Sequence, residues 1–119
     1  MSPQMRCFDR QLRELVYAAV SPIHGRGLFA RRRIVAGEYI GTYWGPAAKR
    51  NGMYVLWVYE SHDDAAVSGR SGRNLLRYLN HALPANAEFN GFDLYALANI
   101  AADEEITINY GDDYFAAAD

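Results

Sequence analysis

The chemistry available to this chain rests on a few short stretches. Gly25-x-Gly27, inside Ser21-Pro22-Ile23-His24-Gly25-Arg26-Gly27, has the Pro and Gly density of a loop that brings backbone close to something, a ligand or only the rest of the chain. It lacks the third glycine and the following helix of a dinucleotide site. Asn80-His81 follows a short apolar stripe, where such a pair serves either as a satisfied polar cap or as a ligand. His24, His62 and His81 show no i, i+4 pairing and Cys7 is the one cysteine, so no metal site is expected. Nine tyrosines, Tyr43 and Tyr110 among them, supply phenols, most of which must be core or surface aromatics.

These residues need elements to hold them. Gln4 to Ala19 fits a helical face through Leu12, Leu15, Val16 and Ala19, while Leu15 to Val20 also reads as a strand, and period alone leaves both open. Glu38 to Trp44 and Met53 to Tyr59 are rich in β-branched and aromatic residues and are predicted strands, the second covered on both faces. Ser68 to Gly72 reads as a Gly/Ser/Arg loop, and Leu75, Leu76 and Leu79 as the stripe of a short helix limited by Pro84. Phe92 to Ile100 alternates apolar residues on one face; Ile106, Ile108 and Tyr110 do the same in the last strand, which points Tyr110 toward the core. The expected fold class is a mostly-β, loop-rich domain with one or two short helices.

With 119 residues the chain is expected to form one domain, 1–119, and its 50% hydrophobic, 22% charged and 13% aromatic composition is that of a globular protein. No apolar run is long enough to cross a membrane, and the Met1 to Leu15 stretch is too charged for a secretory signal. With one cysteine, a reducing cytoplasm is the expected compartment. Residues 1 to 50 hold nine Lys/Arg against three Asp/Glu, and residues 51 to 119 three against eleven. A partner steered to the acidic half would be basic rather than a nucleic acid, unless these acids are only a solvated face.

In order along the chain, four stretches together resemble the SET domain of S-adenosylmethionine-dependent protein-lysine methyltransferases. They are His24-Gly25-Arg26-Gly27-Leu28-Phe29-Ala30, Tyr43-Trp44-Gly45, Asn74 to His81 with Asn86, and Glu104-Glu105-Ile106-Thr107-Ile108-Asn109-Tyr110-Gly111. The likeness covers about Val16 to Tyr114. It implies several short sheets around a knot-like crossing of the C-terminal strand, a rare exception to unknotted topology. It also implies S-adenosylmethionine as cofactor, leaving S-adenosylhomocysteine, and no metal.

On that likeness, the backbone of Gly25, Arg26 and Gly27 lies against the methionine part of the cofactor, where a Cβ would keep the main chain away. Asn80 hydrogen-bonds the cofactor's polar end, the main chain of His81 meets the adenine, and Arg77 pairs with an acid or carbonyl inside the crossing. Tyr110 matches the catalytic tyrosine, which also borders the cofactor, and Tyr43 a second channel tyrosine. Phe89 and Ile108 complete the lysine channel, with Phe89 leaning toward di- or trimethylation. Lysine, with an ordinary pKa of ~10.4, must lose its proton before attack, and lowering it by about two units asks roughly 3 kcal/mol of the site. Burial in an aromatic channel beside a sulfonium supplies this.

The chain departs from the family pattern at Ala82, where serine is usual, at Pro84, one residue early, at Asn109, where an acid is common, and at Asp103, where glycine is. The nine residues after Tyr110 contain no cysteine, so closure of the site is expected from Tyr114 and Phe115, covering the cofactor's adenine or the channel mouth, or from a second subunit. The implied function is methyl transfer to lysine in a basic protein such as a histone or histone-like protein, by a monomer or homodimer that binds neither nucleic acid nor membrane. One lysine against eleven arginines fits a bacterial or viral source, with delivery to a host cell if from a pathogen. The alternatives are a SET-like module that binds cofactor or basic peptide without turnover, and an unrelated β-barrel interaction protein.

Overall fold

Helix and strand follow one another where the N-terminal sequence allowed either. In the computed structural model, which describes residues 10–47, 55–59 and 67–110, helix α1 (Arg10–Leu15) runs directly into strand β1 (Val16–Val20). Leu12 and Leu15 face inward from the helix, and Val16 then continues the same core in extended form. Six residues are too few to hold a helix in water, so α1 depends on that burial.

β1 pairs antiparallel with β2 (Arg26–Ala30), Tyr17 opposite Phe29 and Ala19 opposite Gly27. One face of the pair buries Val16, Leu28 and Ala30; the other stacks Tyr17 on Phe29 at 5.6 Å. β2 is followed in the sheet by β9 (Glu105–Ile108) and β6 (Asn80–His81), giving the order β1-β2-β9-β6. β9 runs antiparallel to β2 and parallel to β6, with Asn80 opposite Thr107 and His81 opposite Ile108. The last strand is therefore interior, and it brings the 80–81 segment to the Gly25–Gly27 turn. Ile106 and Ile108 are fully buried on its core face.

A second sheet, β3-β8-β7, is built from β3 (Tyr39–Thr42), β7 (Ala87–Asn90) and β8 (Asp93–Ala96). The register slips between Tyr39 and Gly41, so Ile40 is the extra residue of a bulge. Past it, Gly41, Thr42 and Tyr43 are all buried. The apolar alternation expected to run from Phe92 to Ile100 stops at Ala96, and residues 97–99 are exposed. A turn intervenes there, with Asn99 Oδ1 accepting from Ala36 N at 2.9 Å.

The Ser68–Gly72 loop is corrected: Val67–Ser71 is a strand, β5, in full register with β4 (Val55–Tyr59), Val55 opposite Ser71 and Tyr59 opposite Val67. Backbone pairing with an apolar partner strand overrides the low strand propensity of Ser and Gly. The helix expected near Leu75 is a 3-10 turn, Leu75–Tyr78, with Leu76 buried. Among the described residues no helix is long and apolar enough to cross a membrane.

Candidate active site

The Gly25–Gly27 turn is held from below by one carboxylate. Ser21 N–H donates to Gly25 O at 2.8 Å, and Ser21 Oγ accepts from Ile23 N at 2.9 Å. The same hydroxyl lies 2.8 Å from both carboxylate oxygens of Glu105. Glu105 is brought there because it sits opposite Phe29 in the β2–β9 ladder, two residues from Gly27 and on the same sheet face. The Ser21 hydroxyl, shared between the two oxygens, and the Asn80 amide both donate to this one carboxylate, which makes it a local anchor.

The two glycines answer different requirements. Gly25 has φ +45°, a backbone conformation that costs a side-chain-bearing residue energy, and nothing lies within 4 Å of where its Cβ would be. Gly27 is packed instead: a Cβ there would run into the Glu105 carboxylate and come within 2.9 Å of Ser21 Cβ. At Gly25 a Cβ would meet no atom of the protein, so the demand there is on backbone conformation. At Gly27 the close approach is to the protein itself.

Asn80 joins the turn to the last strand. It is 7% exposed, and its Nδ2 donates to His24 O at 3.0 Å, Arg26 O at 3.2 Å and Glu105 Oε2 at 2.9 Å. With the amide nitrogen turned into the protein, Oδ1 lies on the opposite branch, the acceptor that an ammonium group needs. Asn80 is thus a β6 residue bonded across the sheet, not a helix cap. Asn86, seen in the sequence only as part of a pattern, locks the same strand: its Nδ2 donates to Glu105 O and its Oδ1 accepts from Thr107 N.

Tyr110 follows β9 and packs, half-buried, against the core. Its hydroxyl donates to Leu79 O at 2.7 Å, its backbone N–H donates to His81 Nδ1 at 3.1 Å, and its ring lies 5.4 Å from that of His81. Leu79 is delivered by the end of the 3-10 turn, where its φ of −59° and ψ of 128° swing the chain from helix into β6. Arg77 steadies that turn by donating to the carbonyls of Arg73 at 2.6 Å and Asn74 at 2.9 Å, and its guanidinium lies over the Tyr78 ring at 4.4 Å. These are carbonyls of its own turn, three and four residues back, rather than an acid or carbonyl of the chain crossing. Arg26, by contrast, has an exposed side chain, with its guanidinium 5.6 Å from the Tyr78 ring.

Tyr43 and Phe89 form a second pair, and Ile108 belongs to the β9–β6 ladder. Tyr43 is fully buried and meets Phe89 edge-on, centroids 5.7 Å apart at 87°. Its N–H donates to Phe92 O at 2.7 Å, which fixes it to the β7–β8 hairpin. Gly72 makes room for it: a Cβ there would collide with the Tyr43 phenol. Ile108 is buried opposite His81, and its carbonyl accepts from Ala82 N at 3.2 Å. Tyr114 and Phe115 lie outside the described residues. Among the described residues no cluster of three His, Cys, Asp or Glu could hold a metal.

Sequence reasoning missed the Leu79 carbonyl, Ser21, Glu105 and Gly72 as parts of this site. Only Glu105 had a signal, its place in Glu104-Glu105-Ile106-Thr107; a main-chain oxygen has none, since any residue carries it.

The model of the SET domain matches residues 25–111. A histone-lysine N-methyltransferase, H3 lysine-4 specific, of Mycosarcoma maydis is 29% identical over 127 residues, covering 90% of this chain and 8% of that protein. Human histone-lysine N-methyltransferase 2B is 28% identical, covering 92% of this chain and 5% of that protein. The chain thus spans a small fraction of the length of these relatives. Among solved structures, autoinhibited ctPRC2 bound to S-adenosylmethionine is similar at a TM-score of 0.67 and 25% identity, over 83% of this chain and 15% of that one. With the turn, the Asn-His pair and the last strand assembled in one sheet and the family model covering most of the sequence, this chain belongs to the SET domain family.

Proposed function

We propose that this protein transfers the methyl group of S-adenosylmethionine to the ε-amino group of a lysine in a basic protein, a histone or histone-like protein being the first choice. The observation that carries this reading is the placement of Tyr110. Its phenol donates its proton to Leu79 O, and a hydroxyl oxygen that donates can still accept through its lone pairs. An incoming amine can be oriented by donating an N–H to that oxygen. On this reading the buried Tyr43 and its edge-on partner Phe89 would be the apolar walls of the lysine path, and such walls favour the uncharged amine over the ammonium.

The residues present fit the cofactor. The open side of Gly25 lies just before β2, Asn80 reaches that turn from β6 through its Nδ2, and the exposed His81 stands next to Tyr110. Gly25–Gly27 would hold its methionine part and Asn80 its ammonium group, and when bound it supplies an electrophilic methyl on a cationic sulfur. The protein's own work is to align the amine, exclude water and keep the lysine uncharged, which is where most of such a rate gain originates. Relatives named as histone-lysine methyltransferases and a neighbour bound to S-adenosylmethionine support the reading.

The finer parts of the proposal follow from sequence. The acid excess of residues 51–119 supports a basic substrate rather than nucleic acid, and Phe89, without a hydroxyl to restrain the amine, supports di- or trimethylation. Tyr114 and Phe115 in a monomer, or the second subunit of a homodimer, would close the site over the adenine or the channel mouth. One lysine against eleven arginines supports a bacterial or viral source, and the single cysteine a reducing cytoplasm, that of a host included. The test is transfer of labelled methyl from S-adenosylmethionine to a panel of histones and other basic proteins. Transfer that falls sharply in Tyr110→Phe is expected. Cofactor binding without transfer to any member of the panel would make the protein a binding module instead.

A further inference from the structure

We propose that the side chain of His81 is a positioning residue for Tyr110, holding its backbone through a neutral imidazole that carries its proton on Nε2. The inference rests on the reading of Tyr110 as the residue beside the reacting amine, and it gives a second task to a histidine expected to act through its main chain. Tyr110 lies past the end of β9, where ladder bonds stop, and its N–H donates instead to His81 Nδ1 at 3.1 Å. A ring nitrogen that accepts a hydrogen bond bears no proton, so the one proton of the neutral ring is on Nε2. The ring stands 5.4 Å from the Tyr110 ring, tilted by 54°, and so lines its flank as well.

His81 can do this because its own backbone is fixed opposite Ile108, two residues before Tyr110. Leu79, two residues before His81, takes the other end of the same tyrosine through its carbonyl. Leu79 and His81 therefore hold Tyr110 at hydroxyl and backbone together. The hydroxyl is at the far end of the side chain, so a small backbone rotation is magnified there, and a displacement of about 1 Å in a reacting group can cost about a hundredfold in rate.

His81→Asn places an amide oxygen where Nδ1 stands and keeps an acceptor; His81→Leu keeps bulk and removes it. Nitrogen-15 spectra of the imidazole in the unliganded wild-type protein should show the Nε2–H tautomer. The Tyr110 amide should exchange slowly in wild type and His81→Asn, and roughly tenfold faster in His81→Leu, the scale of one lost hydrogen bond. In methyl transfer, kcat should fall about tenfold in His81→Leu with KM for the cofactor within about twofold, and His81→Asn should recover most of it. An Nδ1–H tautomer, equal amide exchange in the two variants, or a loss confined to KM would overturn the proposal. The tautomer is read on the wild-type chain and stands even where His81→Leu does not fold. A wild-type protein without transfer activity would overturn the proposed function, while tautomer and exchange would still decide the role of His81.

Discussion

The hydroxyl of Tyr110 donates to the carbonyl of Leu79 at 2.7 Å, across 31 positions of sequence. The bond ties the end of the 3-10 turn to the residue after the last strand, and it fixes which way the phenol oxygen presents its lone pairs. In Tyr110→Phe the ring still packs against the core, but the donor is gone. Stability should fall by only about 1 kcal/mol, while methyl transfer should fall at least about a hundredfold, as when one preorganised polar group is removed from an active site. Urea unfolding and label transfer on the same preparation separate the two effects.

Gly72 is there for Tyr43. A methyl at position 72 would occupy the space of the Tyr43 phenol, which is fully buried and has no free side to move to. Gly72→Ala should therefore destabilise the protein by about 1–3 kcal/mol, the usual cost of overpacking a core. Thermal unfolding measures this, and a neutral substitution would show that the ring swings aside.

Gly27 and Glu105 give a test of the cofactor turn. In Gly27→Ala the new methyl displaces the carboxylate that holds Ser21 and Asn80, so the turn loses its anchor. Wild type should gain about 2.7 kcal/mol of stability from S-adenosylhomocysteine at 100 times its dissociation constant. Gly27→Ala should lose most of that gain at the same concentration, as read by the ligand-induced thermal shift.

Glu38 provides a pH signature. Its carboxylate lies 2.6 Å from Arg32 Nη2 and accepts from Val35 N at 3.1 Å; the hydrogen bond from Arg32 is the main cause that holds its pKa below the ordinary carboxylate value. A carboxylate depressed in the folded state stabilises at pH above its unfolded value, and that contribution is lost as pH falls through the folded value. The pair is at the surface, so Glu38→Gln should cost about 0.5 kcal/mol at neutral pH. The difference should shrink in acid, starting at the ordinary carboxylate value and disappearing only below the depressed folded value. Urea unfolding of both proteins at pH 7 and pH 3 checks the sign.

The motifs were legible because each is local. Gly25-x-Gly27, Asn80-His81 and the last strand could be read from neighbours in sequence, and the structure puts all three in one sheet. Strand β5 was not legible, since Val67–Ser71 owes its form to pairing with β4 rather than to its own residues. The Phe92–Ile100 alternation overran its strand because Ala98 mimics a core position in a turn. Asp103, standing where the family usually has glycine, has φ +67°, a region that aspartate tolerates better than most residues. Its side chain meanwhile accepts from Tyr17 Oη at 2.8 Å, which ties β1 to the turn before β9. That compensation lies 86 positions away in sequence, beyond any local pattern.

The decisive measurement is mass analysis of basic proteins after incubation with this protein and S-adenosylmethionine, followed by fragmentation to locate the modified residue. Methyl increments on a lysine side chain, present with wild type and lost with Tyr110→Phe, are the expected result. Unmodified substrates across the whole panel with the cofactor demonstrably bound, or methyl groups on a residue other than lysine, would contradict it.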